Sequence, residues 1–165
     1  TDDPNTVARI AKFSADGEFI VSWGQWGSEP GELKTPHALA FDPLGRLVVA
    51  DRGNNRLQIF DEEGNAVEEF RQFSRRSDVH FGPGGMVYVA DSESAFDEVR
   101  NPGWTPGIRV GSLEDGSVSY FIDGAIEGHD RYSDGSNPEG VAVDAAGNVY
   151  GAVVSSGGAM VRSSR

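Results

Sequence analysis

The residues with chemistry to offer are few and widely spaced. His37 and Glu139 stand at the same place in two copies of a repeated unit, Ser77 stands there in a copy between them, and Arg52 follows a predicted strand. A neutral imidazole is a good zinc ligand, and a carboxylate binds zinc or calcium. The same imidazole could instead hydrogen-bond at a channel mouth without any metal. The other histidines read differently. His80 falls inside a strand, where an inward imidazole is a satisfied core residue. His129 lies in the run His129-Asp130-Arg131-Tyr132-Ser133-Asp134-Gly135, a polar surface loop. Asp115 and Asp144 sit beside turn glycines and are predicted to close Asx-type turns. Trp23, Trp26 and Trp104 read as packing groups. There is no Cys, which excludes a disulfide, a thiolate metal site and a Cys nucleophile within these residues. No nucleophile elbow, phosphate-binding loop or dinucleotide fingerprint is present, and the Asp-rich loops match no EF-hand spacing.

What positions these side chains is a repeat. The stretch from His37 to Asp51 returns from Asp78 to Asp91 and again from Gly140 to Ala152. A second unit, Arg9 to Ile20, returns from Arg56 to Val67 and more loosely from Ile108 to Ser119. Each unit is a pair of short strands joined by a Gly-containing turn, so two units give four strands and a period of roughly 40 residues. That predicts an all-β chain, a β-propeller holding about three to three and a half four-stranded blades. Residues 9 to 23 read as the outer strands of one blade, with the turn at Asp16-Gly17. The apolar runs Leu47–Ala50 and Val87–Ala90 suit inner strands packed on both faces, lining the middle of the ring. Radial repetition then brings equivalent side chains of successive blades toward one axis.

The whole of 1–165 reads as one partial propeller domain, with insertions at 92–106 and 123–138. Insertions in repeats collect on one face, often the binding face. Propellers close with about four to eight blades, so the chain is expected to be an internal piece of a longer protein, incomplete at both ends.

The net charge of −12 argues against a nucleic-acid partner, which needs clustered Lys and Arg. Arg71, Arg75 and Arg76 form the local basic cluster and read as a solvated turn. No apolar run approaches the about 18 residues of a membrane span.

The run Lys12–Phe19, then Trp23-Gly24, then Pro36–Ala40, then Ala50-Asp51-Arg52-Gly53-Asn54-Asn55-Arg56-Leu57-Gln58-Ile59-Phe60 resembles an NHL repeat. In its details it is similar to the peptidyl-α-hydroxyglycine α-amidating lyase family. The resemblance implies a six-bladed NHL-type propeller with a catalytic zinc held by three His, one from each of three blades. His37 stands where one such ligand would stand, and Glu139 stands where a later copy would supply another. The resemblance also implies an active-site Arg at Arg52, acting on the substrate's charged oxygen, a task that suits a guanidinium's bidentate geometry. It implies a Tyr just before Arg9, where this chain reads Asp2-Asp3-Pro4-Asn5-Thr6-Val7-Ala8. For Asp51 and Arg56 the expected role is to tie strands and blades together.

The implied reaction cleaves a peptidyl-α-hydroxyglycine-like carbinolamide to an amide and glyoxylate, with a small-molecule or peptide substrate. Zinc or calcium is the implied cofactor, and a periplasmic or secreted location the implied setting. Two other functions fit the same fold: a non-catalytic ring that binds a peptide, protein or glycan on one face, and a calcium-dependent lactonase-like hydrolase.

Overall fold

Several of the hairpins close on an aspartate and a glycine. Asp42 Oδ1 accepts from the Leu44 and Arg46 amides at 2.9 and 2.8 Å, and Asp144 Oδ1 accepts from the Ala146 and Asn148 amides, both at 2.9 Å. The chain then reverses through Gly45 at φ 80° and Gly147 at φ 87°, in the left-handed region that glycine enters without steric cost. Asp61 holds the next kind of hairpin similarly, accepting from the Asn65 amide at 2.8 Å and from its side chain at 2.9 Å. Asp115 accepts from the Ser117 amide at 2.9 Å.

These turns carry a pH dependence. Hydrogen bonds from the side chains and amides of Asn65 and Asn148 hold the Asp61 and Asp144 carboxyls below the usual Asp range. A carboxyl whose pKa is depressed by folding contributes stability that is complete above its unfolded value and is lost as pH falls through its folded value. Urea midpoints taken at descending pH should therefore fall below the ordinary Asp range, and Asp144→Asn should flatten that fall. An identical slope for the variant would remove Asp144 from the account.

The computed structural model describes residues 7–94, 102–123 and 137–154. Four strands, β1 (Ile10–Phe13), β2 (Phe19–Trp23), β11 (Asn137–Val143) and β12 (Val149–Val154), form two separate hairpins. Between them lie two complete antiparallel sheets. One runs β3 (Pro36–Phe41), β4 (Leu47–Asp51), β5 (Arg56–Phe60), β6 (Ala66–Phe70); the other runs β7 (Asp78–Phe81), β8 (Val87–Asp91), β9 (Gly107–Gly111), β10 (Val118–Asp123). By repeat position β1–β2 match β5–β6, and β11–β12 match β3–β4. The described residues thus hold two full blades flanked by an outer pair and an inner pair. This is the partial all-β propeller that the repeat predicts.

Blades meet through apolar faces. Val48, Leu57, Ile59, Phe70 and Phe73 of one sheet and its following loop pack on Val79, Val87 and Val89 of the next. Tyr88, Ala90, Ile108 and Val110 pack in turn on Val141. Successive sheets meet through their first strands, β3 against β7 and β7 against β11, and β11 also meets β8; in sheet order β4 and β8 come second. This corrects the expected place of Leu47–Ala50 and Val87–Ala90, which are second strands and do not line the middle. Their continuous burial comes from blades on either side. The first strand β3, by contrast, alternates half-buried with exposed residues, while β7 is buried or half-buried throughout.

A buried ion pair pins each full blade. Arg56 donates to Asp51 at 2.9 Å and Arg109 donates to Asp91 at 2.9 Å, with both aspartates fully buried. In the second blade Arg109 also lies 4.4 Å from the Trp104 ring and 5.1 Å from that of Phe121. Trp104 thus stacks on the strut of its blade while staying half-exposed, and Trp23 packs against Phe60 at 6.4 Å.

Candidate functional site

Two first strands, β3 and β11, enter their blades through bulges, while β7 pairs with β8 in unbroken register. Pro36 pairs with Asp51 and Ala38 with Ala50, so His37 is the extra residue between them; Pro138 pairs with Val153 and Gly140 with Ala152, so Glu139 is the extra residue there. Proline cannot donate to a ladder and is tolerated on an edge strand or at a bulge. A bulged residue is released from strand alternation and its side chain can be re-aimed. Just ahead of the first bulge Thr35 holds φ 54°, a strained conformation for a β-branched residue.

The re-aimed side chains are connected. His37 Nδ1 lies 2.7 Å from the Ser77 carbonyl oxygen. A carbonyl only accepts, so Nδ1 carries the proton, and in the neutral imidazole Nε2 keeps its lone pair. The Ser77 and Ser92 hydroxyls are 2.7 Å apart, and Ser92 Oγ reaches Glu139 Oε1 at 3.4 Å. With Ser92 donating to the carboxylate, Ser77 donates to Ser92. His37, Ser77 and Glu139, one from each of three blades, therefore belong to one chain of contacts at one end of the ring.

Arg52 sits at the same end, directly after β4. Its side chain is 17% exposed, and Nη1 lies 3.4 Å from Glu93 Oε1. Its Nε is buried and has no hydrogen-bond partner among the described residues. The other oxygen of Glu93 accepts from Arg75 Nε at 2.9 Å. Ser92 and Glu93 were not singled out by sequence reasoning, and Arg75 was named there only as part of a solvated basic turn. The available signal was positional, since Ser92 and Glu93 occupy in the second blade the places of Arg52 and Gly53 in the first.

The basic cluster is not a solvated turn. Arg71 is exposed and pairs with Glu69 at 2.9 Å, Arg75 is held by Glu93, and Arg76 is fully buried. Arg76 gives one hydrogen bond to the Phe70 carbonyl at 3.1 Å, and burial pushes its pKa well below the usual value, with Asp91 opposing. Blade packing draws it in, because the loop between β6 and β7 lies between two sheets. His80 is half-buried in β7. The run His129–Gly135 and residues 1–6 lie outside the described residues.

His37 and Glu139 are suitable donors for a divalent cation, and an imidazole fixed through Nδ1 to a carbonyl is the arrangement that orients metal-bound histidines. Two donors nevertheless fall short of the three protein ligands of a catalytic zinc. Among the described residues no three His, Asp or Glu side chains gather closely enough to hold a metal ion. No helix among them is long and apolar enough to cross a membrane.

The NHL repeat family model matches residues 33–60, the segment from Leu33 through the end of β5. Residues 33–60 are thus an NHL repeat, set in a chain that folds as part of a β-propeller. Peptidyl-glycine alpha-amidating monooxygenase A of Xenopus laevis is 39% identical to it over 98 residues, which cover 54% of this chain and 10% of the frog protein. NHL repeat-containing protein 3 of Mus musculus is 44% identical over 57 residues, 33% of this chain and 16% of the mouse protein. The chain therefore spans a small part of the relatives it matches. Among solved structures, Kuenenia stuttgartiensis hydrazine synthase superposes with a TM-score of 0.58 at 17% identity, over 84% of this chain and 34% of that one, a likeness of fold.

Proposed function

We propose that this NHL chain supplies part of an amidating-lyase site, which takes a peptidyl-α-hydroxyglycine-like carbinolamide and releases an amide and glyoxylate. The observation that carries the reading is the meeting of His37, Ser77, Ser92 and Glu139 from three blades beside Arg52. Similarity to alpha-amidating monooxygenases over about half the chain supports it. In the reaction the hydroxyl proton leaves, its oxygen becomes the glyoxylate carbonyl, the carbon–nitrogen bond breaks, and the amide nitrogen takes up a proton. Arg52 is the catalytic residue that holds the substrate carboxylate through its guanidinium. His37 and Glu139 are the donors this chain offers to zinc or calcium. When bound, such an ion polarises the oxygen of the carbinol. The reading carries with it a periplasmic or secreted location.

A second reading is favoured by one feature of the same end of the ring. A cleft of about 560 Å³ is lined by Ser28, Lys34, Asn54, Asn55, Arg71 and Trp104. It would suit a peptide or protein ligand held without chemistry. The test is glyoxylate release from an N-acyl-α-hydroxyglycine, with metal content measured alongside. Loss of a carboxylate-holding Arg is expected to lower turnover about a hundredfold or more in Arg52→Ala, and His37→Ala should lose bound zinc. A protein with no glyoxylate release, and with metal content unchanged by His37→Ala, would leave the binding reading.

A further inference from the structure

We infer that Glu93 is a built-in carboxylate occupying a clasp of two arginines, Arg52 and Arg75, and that the proper occupant of the clasp is the carboxylate of a small ligand. The inference rests on the proposed lyase reading for the identity of that ligand, and goes beyond it by naming what holds the place and must leave. Glu93 bridges the two guanidinium groups unequally, 2.9 Å from Arg75 Nε and 3.4 Å from Arg52 Nη1. The contact to Arg52 is thus loose, while Arg52 Nε is buried without a partner among the described residues. A planar carboxylate entering the clasp can take two donors of one guanidinium at once, which Glu93 does not do here.

Glu93 is not something the fold demands. The aspartate before it, Asp91, is fully buried, and its counterpart Asp51 makes the same ion pair in the preceding blade. At the position matching Glu93 the preceding blade has Gly53, where an added Cβ would lie 2.6 Å from the Lys34 carbonyl oxygen. The repeat therefore has no general place for this side chain. Only the Glu93 amide, which donates to Asp91 at 3.2 Å, serves the strut. The side chain itself is 32% exposed and can swing into solvent without opening the core.

The test is calorimetric titration of the full chain with N-acetylglycine, which has the substrate's carboxylate and no scissile carbinol, and with uncharged N-acetylglycinamide. Glu93→Gln should bind N-acetylglycine about 1.5-fold to fivefold more tightly than the parent, the range of a partly exposed ion pair converted to affinity. Adding Arg75→Met should take that gain away, and the amide should bind no better in any variant. Unchanged or weakened binding in Glu93→Gln, an equal gain for the amide, or no N-acetylglycine binding by either protein would overturn the inference. Thermal melting of Glu93→Gln should match the parent, because the backbone amide remains. If binding tightens as expected while no variant releases glyoxylate, the clasp stands and the lyase reading falls. Glyoxylate release with no response to Glu93→Gln would do the reverse.

Discussion

Arg56→Ala should lower the stability of the chain by about 3–5 kcal/mol, the usual cost of orphaning one partner of a buried ion pair. Arg56 is fully buried and spends its whole guanidinium. Nε donates to Asp51 at 2.9 Å, Nη1 to the Ser28 carbonyl at 3.0 Å and to Glu69 at 2.8 Å, and Nη2 to the Glu29 and Glu32 carbonyls at 3.0 and 2.7 Å. Its loss strands the Asp51 charge in the interior and releases the loop that leads into β3. That is a large part of the about 5–15 kcal/mol that holds a typical domain together. Urea unfolding followed by Trp fluorescence would measure it. Pairing Arg56→Met with Asp51→Asn should cost less than the sum of the two single changes, because the uncompensated charge is then gone. Strict additivity would mean that the two groups do not act as a pair.

Phe73→Ala should cost a similar amount, about 3–5 kcal/mol, for a different reason. Phe73 is fully buried in the loop between two blades and fills the interface from both sides. Truncating it leaves a cavity lined by two separate sheets, neither of which can move in to close it without shifting a whole blade. Phe41→Ser is the matched control. Phe41 is 69% exposed, so its loss should leave the urea midpoint nearly unchanged. A Phe73→Ala midpoint as close to the parent's would show that the blades are not cemented by this face.

The strand-turn-strand units were legible because each turns through a Gly, in several cases beside an Asp, with local hydrogen bonds that need no tertiary context. The order of strands within a blade was less so. A continuous apolar run such as Leu47–Ala50 reports burial on both faces, and burial on both faces is what neighbouring blades give to a second strand. The axis strand reads as half-exposed and looks less like a core element than it is. His37, Arg52 and Glu139 could be found because each has a counterpart position in another copy. Ser92, Glu93 and Arg75 could not, since their role comes from contacts between blades. Arg76 was misread for the same reason: a charge in a Ser-rich connection looks solvated unless the sheets on either side are known.

The bulges at His37 and Glu139 have a consequence for how such rings diversify. A residue that belongs to no cross-strand pair sets no register for its neighbours, so replacing an imidazole with a carboxylate there need not turn any other side chain to the wrong face. Reactive groups can then be exchanged one sheet at a time by single codon changes, with the scaffold untouched. Inheritance of the architecture and inheritance of the chemistry are in this sense separable.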